Sequence, residues 1–190
     1  MRSAECDLVQ DGRTVTRATL VQYRRSSAPP GREWTAPYSP VQPPPPDDQI
    51  LPHIGSDDAG WTRSPAAHQN TSRKCLYNDG IKVVAGEKNS PFVSAVMIAE
   101  STSLVTNLGT NGIGYINGDL TAALSRLPVD DWIGVQADSH WASDGVSVGT
   151  ATLFDHLGAI GTGLVTAVAN PAAQIDFSSG VTPLKGLNYE

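Results

Sequence analysis

The chain has 190 residues, 39% of them hydrophobic, with 14 prolines, 18 glycines and a formal net charge of −6. That is room for one domain with a real core plus a less structured segment, at roughly 100–200 residues per domain. The acidic balance argues against nucleic acid or an anionic membrane surface as the main partner, and the two cysteines, Cys6 and Cys75, are too few for a disulfide framework and lack metal-ligand spacing.

The opening residues, MRSAECDLVQDGR, have no apolar h-region, which reads as a cytoplasmic chain. Residues 4–25 predict a β-hairpin. Asp11-Gly12 is a strong turn dipeptide, and TVTRATLVQYRR after it alternates as a half-buried strand does. Val15, Arg17, Thr19 and Val21 share one face, and Thr16, Ala18, Leu20 and Gln22 the other. Two strands alone are marginal in water, so this hairpin is expected to pair outside itself.

From Ser26 the composition changes to Pro29-Pro30, Pro37, Pro40 and Pro43 to Pro46, an extended spacer by default and a PxxP ligand in the functional alternative. Residues 49–71 show no period and read as irregular, so the linker is taken as 26–71.

Ser90 to Gly109, SPFVSAVMIAESTSLVTNLG, predicts one long buried helix. Ser90 suits the N-cap, Pro91 the first helical position, and Gly109 a left-handed end. Val93, Met97, Glu100, Leu104 and Leu108 form one stripe at three-and-four spacing, with Phe92, Val96, Ala99 and Ser103 beside it. Glu100 is the single charge on this helix. A lone carboxylate in an apolar stripe must find partners, shift its pKa or face a cavity, which marks it as a candidate general base or nucleophile, the alternative being a structural carboxylate satisfied by backbone or by Asn117. Phe92 and Met97 fall on core spacing.

Around the helix, residues 75–77 and 81–85 read as strand pieces before it. Residues 113–124, 132–141, 146–154 and 159–168 read as strands after it, joined by turn signals at Asp130-Asp131, Asp144-Gly145 and Asp155 to Gly158. The compact domain is therefore set at 72–169, followed by a loosely attached tail at 170–190. The uncharged windows 101–118 and 156–175 are broken by asparagine, glycine and proline, so no membrane span is expected. The glycine runs at 109–114 and 158–163 lack the strand-glycines-helix order of a dinucleotide site. A Ser-His-Asp set drawn from His140, His156 and Asp155 has no G-x-S-x-G elbow to support it.

The order strand, long helix, antiparallel meander is that of the hotdog fold, an α+β architecture in which a sheet wraps around one buried helix. The run LPVDDWIGVQADSHWASDGVSVGTATLFDHLGAIGTGLVTAVA, from Leu127 to Ala169, resembles the C-terminal hotdog of acyl-CoA thioesterase II-like proteins. The carrying features are Pro128 and Trp132 at a strand start, then Asp144-Gly145, then Asp155 to Gly158. DGRTVTRATLVQYRR resembles the closing strands of that family's first hotdog, which would make 1–25 a remnant hairpin and the chain a truncated member.

The resemblance implies hydrolysis of an acyl-CoA thioester by an oriented water, with no metal or redox cofactor. The family's helix carboxylate falls on Glu100, its strand hydroxyl near Asn117, and its last-strand glutamine on Val165 or Thr166. Glu100, Asn117 and Thr166 are thus the expected catalytic set. Gly109 and Gly112 are expected to contact the acyl-CoA by backbone, and Met97 to wall an acyl tunnel. The missing glutamine supports the alternative of a catalytically impaired acyl-CoA-binding or assembly module. Either reading expects a homo-oligomer.

Overall fold

The computed structural model describes residues 1–27, 29–35, 39, 41–45 and 51–179. Pro37, Pro40 and Pro46 of the expected linker, and 180–190 of the expected tail, lie outside the described residues. The chain divides into two units, Met1–Tyr38 and Ser39–Glu190.

The first unit is a hairpin of β1 (Arg2–Gln10) and β2 (Arg13–Gln22). Asp11 and Gly12 both take positive φ, at 50° and 74°, the backbone of a type I′ turn. The register Ala4↔Leu20, Cys6↔Ala18 and Leu8↔Thr16 gathers one apolar face. The other face carries Glu5, Thr19 and the ion pair in which Arg17 donates to both carboxylate oxygens of Asp7. Among the described residues these two strands form a sheet of their own.

The second unit is built on one antiparallel sheet. In chain order its strands are β3 (His53–Ser56), β4 (Gly60–Thr62) and β5 (Lys74–Asn78), then β8 (Tyr115–Asn117), β9 (Thr121–Leu124), β10 (Ile133–Ser143), β11 (Val146–Asp155) and β12 (Gly158–Ala169). They lie side by side as β4-β3-β5-β10-β11-β12-β8, and β9 also pairs β12. The long meander β10-β11-β12 follows from its turns, Asp144-Gly145 with φ of 50° and 79° and Gly158 with φ of 109°.

Between β5 and β8 runs the helix, as α1 (Pro91–Ala99) and α2 (Thr102–Asn107). Two short strands follow it, β6 (Leu108–Gly109) and β7 (Gly112–Ile113), paired with each other. The core sits between helix and sheet, where Ala95, Ile98, Ala99 and Val105 meet Ile133, Val135, Ala151, Leu153 and Ile160. Helix and sheet come close because Gly149 and Gly163 lack side chains. A Cβ at either would stand 2.5 Å from Thr106 Oγ1 or 2.1 Å from Thr102 Oγ1.

Several expectations are corrected. The helix runs as one from Pro91 to Asn107 but tightens in its middle, where Ser101 N donates to Ile98 O and Ser103 N to Glu100 O, a three-residue turn between α1 and α2. Its start is as expected, with Ser90 Oγ accepting from Val93 N. Its end is not, because Leu108 leaves with extended backbone and Gly112, at φ 82°, makes the left-handed turn assigned to Gly109.

The buried face also differs in part. It consists of Ser94, Ala95, Ile98, Ala99, Thr102, Ser103, Val105, Thr106 and Asn107, most of them small or polar residues that let the sheet approach. Of the expected stripe, Met97 and Glu100 face outward, Val93 and Leu104 are half-buried with Leu104 packed on the core, and Leu108 is buried; Phe92 and Met97 are not core residues, each 37% exposed.

Residues 49–71 are not irregular throughout, because β3 pairs β5 and extends the sheet beyond the expected start at 72. Residues 81–85 form no strand; Asn89 holds them as a loop through Ile81 O and Val83 N. The strand expected at 113–124 breaks at Gly118, whose N–H donates to Thr166 O. The tail is anchored as far as it is described, since Ile113 and Ile175 exchange backbone hydrogen bonds of 2.9 Å. The end of the proline-rich stretch is fastened too, with Val41 N donating to Gln136 Oε1 and Trp61 Nε1 to Gln42 O.

His68 closes a polar box against this sheet. Its ring is fully buried, with Nδ1 2.9 Å from Ser56 Oγ and Nε2 2.8 Å from Thr62 Oγ1. Burial, helped by the nearby Lys74 charge, holds its pKa below the usual histidine range. The unfolded chain therefore binds the extra proton first, and stability rises with pH through this window. The contribution is complete above the unfolded value of about 6.5 and is lost as pH falls below it. Thermal melts should show Tm falling between pH 7 and pH 5 in the wild type and a flatter profile in His68→Gln. Parallel profiles would remove His68 as the cause.

Candidate active site

Glu100 is exposed on the helix, one turn from exposed Met97 and beside half-buried Val93 and Leu104, so its carboxylate stands at an apolar margin. Asn117, at the end of β8, donates Nδ2–H to Glu100 Oε1 at 3.4 Å. The sheet delivers Asn117 there because β8 pairs β12 with Asn117 opposite Ala167. The turn that follows is pinned, with Gly118 N donating to Thr166 O at 2.8 Å and Thr166 N donating to Asp119 Oδ1 at 3.0 Å.

Behind Asn117 lies a buried polar array. Ser103 Oγ donates to Asn117 Oδ1. Asn107 Nδ2 donates to Ser103 Oγ at 3.5 Å, and Asn107 Oδ1 accepts from Ser147 Oγ at 3.0 Å. His140 Nε2 lies 3.2 Å from that same oxygen, and the His140 ring meets Tyr115 edge-on at 6.1 Å. Glu100, Ser103 and Asn107 share this side because they recur at three-and-four spacing.

His140 opens onto a cleft of about 840 Å³ at the far end of α2. The cleft exists because β5 covers β10 only from Ile133 to Gln136, leaving the strand bare beyond. Arg73 and Lys74 stand on its other wall, with Gly109, Gly112 and Tyr115 along the helix end. Burial holds the Lys74 ammonium below its usual range, although Asp58 and Asp57 oppose the shift. Its Nζ donates to the carbonyls of Asn70 and Ser72.

The expected site residues thus fall into two places. Glu100 and Asn117 are together, and Gly109 and Gly112 line the cleft. Met97 is exposed one turn from Glu100. The Thr166 side chain lies on the far face of β12 from Val165 and Ala167, which are buried against the helix side, so Thr166 meets the Asn117 turn only through its backbone. The paper triad is dispersed, because Asp155 pairs with Arg126 and His156 with Asp130.

Ser103, Asn107 and Ser147 were not anticipated as site residues, and His140 was drawn only into a Ser-His-Asp set that it does not form. The helical spacing of Glu100, Ser103 and Asn107 was a readable signal. For His140 there was none: the register passes from Ala137↔Ala151 to Ser139↔Thr150, leaving Asp138 as an extra residue, and only this bulge turns His140 toward the helix.

A carboxylate at the mouth of an oriented amide network, set at an apolar margin, suits general-base chemistry on an acyl group. The family model for the acyl-CoA thioesterase C-terminal domain matches residues 24–167. The chain belongs to this family. No curated protein and no solved structure matches. The antiparallel sheet curled around its helix fits the hotdog fold that the thioesterase family implies. The match takes in the helix and every residue of the polar array. Among the described residues no helix is long and apolar enough to cross a membrane, and no group of three His, Cys, Asp or Glu gathers as metal ligands do.

Proposed function

We propose that the chain hydrolyses an acyl-CoA thioester to the free acid and CoA, with Glu100 as general base. The observation that carries this reading is the Glu100–Asn117 contact beside Met97, Val93 and Leu104 on the helix. Glu100 takes a proton from water as the oxygen adds to the thioester carbonyl carbon. Asn117 holds the carboxylate and keeps one Nδ2–H for the water or the developing oxyanion. The tetrahedral intermediate collapses with loss of the CoA thiolate, which takes up the proton. Val93, Met97 and Leu104 offer the acyl chain an apolar bed, and Gly109 and Gly112 flank the cleft that receives the CoA arm. Thr166 contributes by pinning the turn after Asn117. The deciding experiment is thiol release from short to long acyl-CoAs by the purified chain; a folded protein inert on the whole panel sinks the reading.

One observation favours a binding or assembly module instead. The last-strand position where the family resemblance calls for glutamine falls on Val165, 1% exposed, or Thr166, and neither is a glutamine. Saturable acyl-CoA binding without turnover would decide for that role.

The chain acts as a homo-oligomer in this reading. Val146, Val168 and Ile116 form a cross-strand row on the outer face of the sheet, with Trp141 diagonal to Val146, all exposed and with no charge among them. Such a face meets its own copy without repulsion. Light scattering should give a multiple of 20.0 kDa for the wild type and a shift toward 20.0 kDa for Trp141→Glu. A monomeric wild type would refute it. The first hairpin, in the same reading, is the close of a preceding hotdog.

A further inference from the structure

We propose that His140 is a positioning residue for Glu100, acting through a directional chain of hydrogen bonds that joins the cleft to the carboxylate. It deepens the general-base reading of Glu100 and rests on it for its kinetic consequence.

Each group in the chain fixes the next. The direction is set at Glu100, a carboxylate that only accepts: Asn117 gives it Nδ2 and turns Oδ1 to the Ser103 hydroxyl, so Asn107 presents Nδ2 to Ser103 and Oδ1 to the buried Ser147 hydroxyl at 3.0 Å. That orientation makes His140 Nε2, 3.2 Å away, a donor, and turns Asn107 Nδ2 toward Ser103 Oγ at 3.5 Å. Ser103 Oγ accepts there, so its single proton goes to Asn117 Oδ1. Asn117 is left with Nδ2 toward Glu100 Oε1 at 3.4 Å. Every donor points from His140 to Glu100, and polarisation adds along such a series. The longer contacts are of the kind that tighten when a ligand-free site is filled.

The local sequence invests in this arrangement. The bulge at Asp138 places His140 opposite Gly149 on the helix side of β10, and the Tyr115 ring braces it at an interplanar angle of 75°. Ser103, Asn107 and Ser147 are buried, whereas His140 and Glu100 are exposed at the two ends. A group bound in the cleft therefore meets His140, and the consequence is felt at Glu100.

The first test needs no turnover. In the ligand-free protein, the Asn117 side-chain amide and the Glu100 carboxyl carbon should each change chemical shift in His140→Leu and return toward their wild-type positions in His140→Gln, which keeps an N–H for Asn107. Tyr115→Phe, which keeps the ring against His140, should leave both signals in place. Asn117 and Glu100 signals indifferent to His140 overturn the proposal.

In kinetics, His140→Leu should lower kcat about tenfold at nearly unchanged KM, the worth of one net hydrogen bond. His140→Gln, which keeps an N–H for Asn107, should recover most of it. Wild-type kcat in His140→Leu, or a loss confined to KM, also overturns the proposal. Should the wild type turn over no acyl-CoA, the general-base reading falls and the spectroscopic result alone decides the positioning.

Discussion

Glu100→Gln lowers kcat for acyl-CoA hydrolysis by roughly 10² to 10⁴-fold, the range a positioned general base supplies, while KM stays close to wild type. Glutamine keeps the shape of the side chain and an oxygen to accept from Asn117 Nδ2, so the local geometry at 3.4 Å is retained and only the basic lone pair is lost. Glu100 is exposed and lies outside the hydrophobic core, so Tm should hardly move. That pairing of a large kinetic loss with an unchanged melt separates chemistry from folding. Glu100→Asp is the graded comparison: it keeps a base but withdraws it by one methylene from Asn117, and its loss should fall between the two. A Glu100→Gln enzyme that turns over at the wild-type rate removes the mechanism while leaving the activity to another group.

How much of this was legible depends on whether a residue's role is set by its neighbours in sequence or across the sheet. Ser90-Pro91 starts α1 as its cap chemistry dictates, and Asp11-Gly12 and Asp144-Gly145 make their turns because both positions tolerate positive φ. Glu100 stood out as a lone charge on an apolar helix, and Asn117 does meet it. The side it faces was misread in part, because the helix buries small residues such as Ala95, Ala99, Thr102 and Thr106 beside Ile98 and Val105 where Gly149 and Gly163 admit it, and leaves Phe92 and Met97 outside. Side-chain size against a partner sheet decided the face, and that partner is distant in the chain. β3 carries only four residues, too few for a period, yet pairing with β5 buries all of them. The bulge at Asp138 reverses the alternation of β10, and no residue type announces it. Asp155 was legible as a turn residue but not as the ion pair it forms.

Asp155→Ala should cost about 3 kcal/mol, toward the lower end for breaking a buried ion pair since the Arg126 side chain keeps 30% exposure. Asp155 ends β11 with a side chain of 0% exposure, and Arg126 grips it with bonds of 2.7 and 2.6 Å. The same carboxylate accepts from Val129 N at 3.0 Å and Leu157 N at 2.9 Å, so one group ties the β9–β10 connection to the β11–β12 turn. Alanine strands both backbone donors and the guanidinium at once. At roughly 2–4 °C per kcal/mol for a chain of this size, Tm should fall by roughly 6–12 °C. Burial pushes the Asp155 carboxyl up, but Arg126 and the two backbone N–H groups outweigh it and the net shift is downward. A lowered folded pKa means the unfolded chain binds the proton first, so the contribution is present above about 3.9 and is lost as pH falls below it. Wild type and Asp155→Ala should therefore differ most near neutral pH and converge in acid. Arg126→Met combined with Asp155→Leu should recover part of the loss, because an apolar pair leaves no stranded charge. A gap that stays constant down to pH 3 would mean that the clamp holds by shape, with the charge contributing nothing.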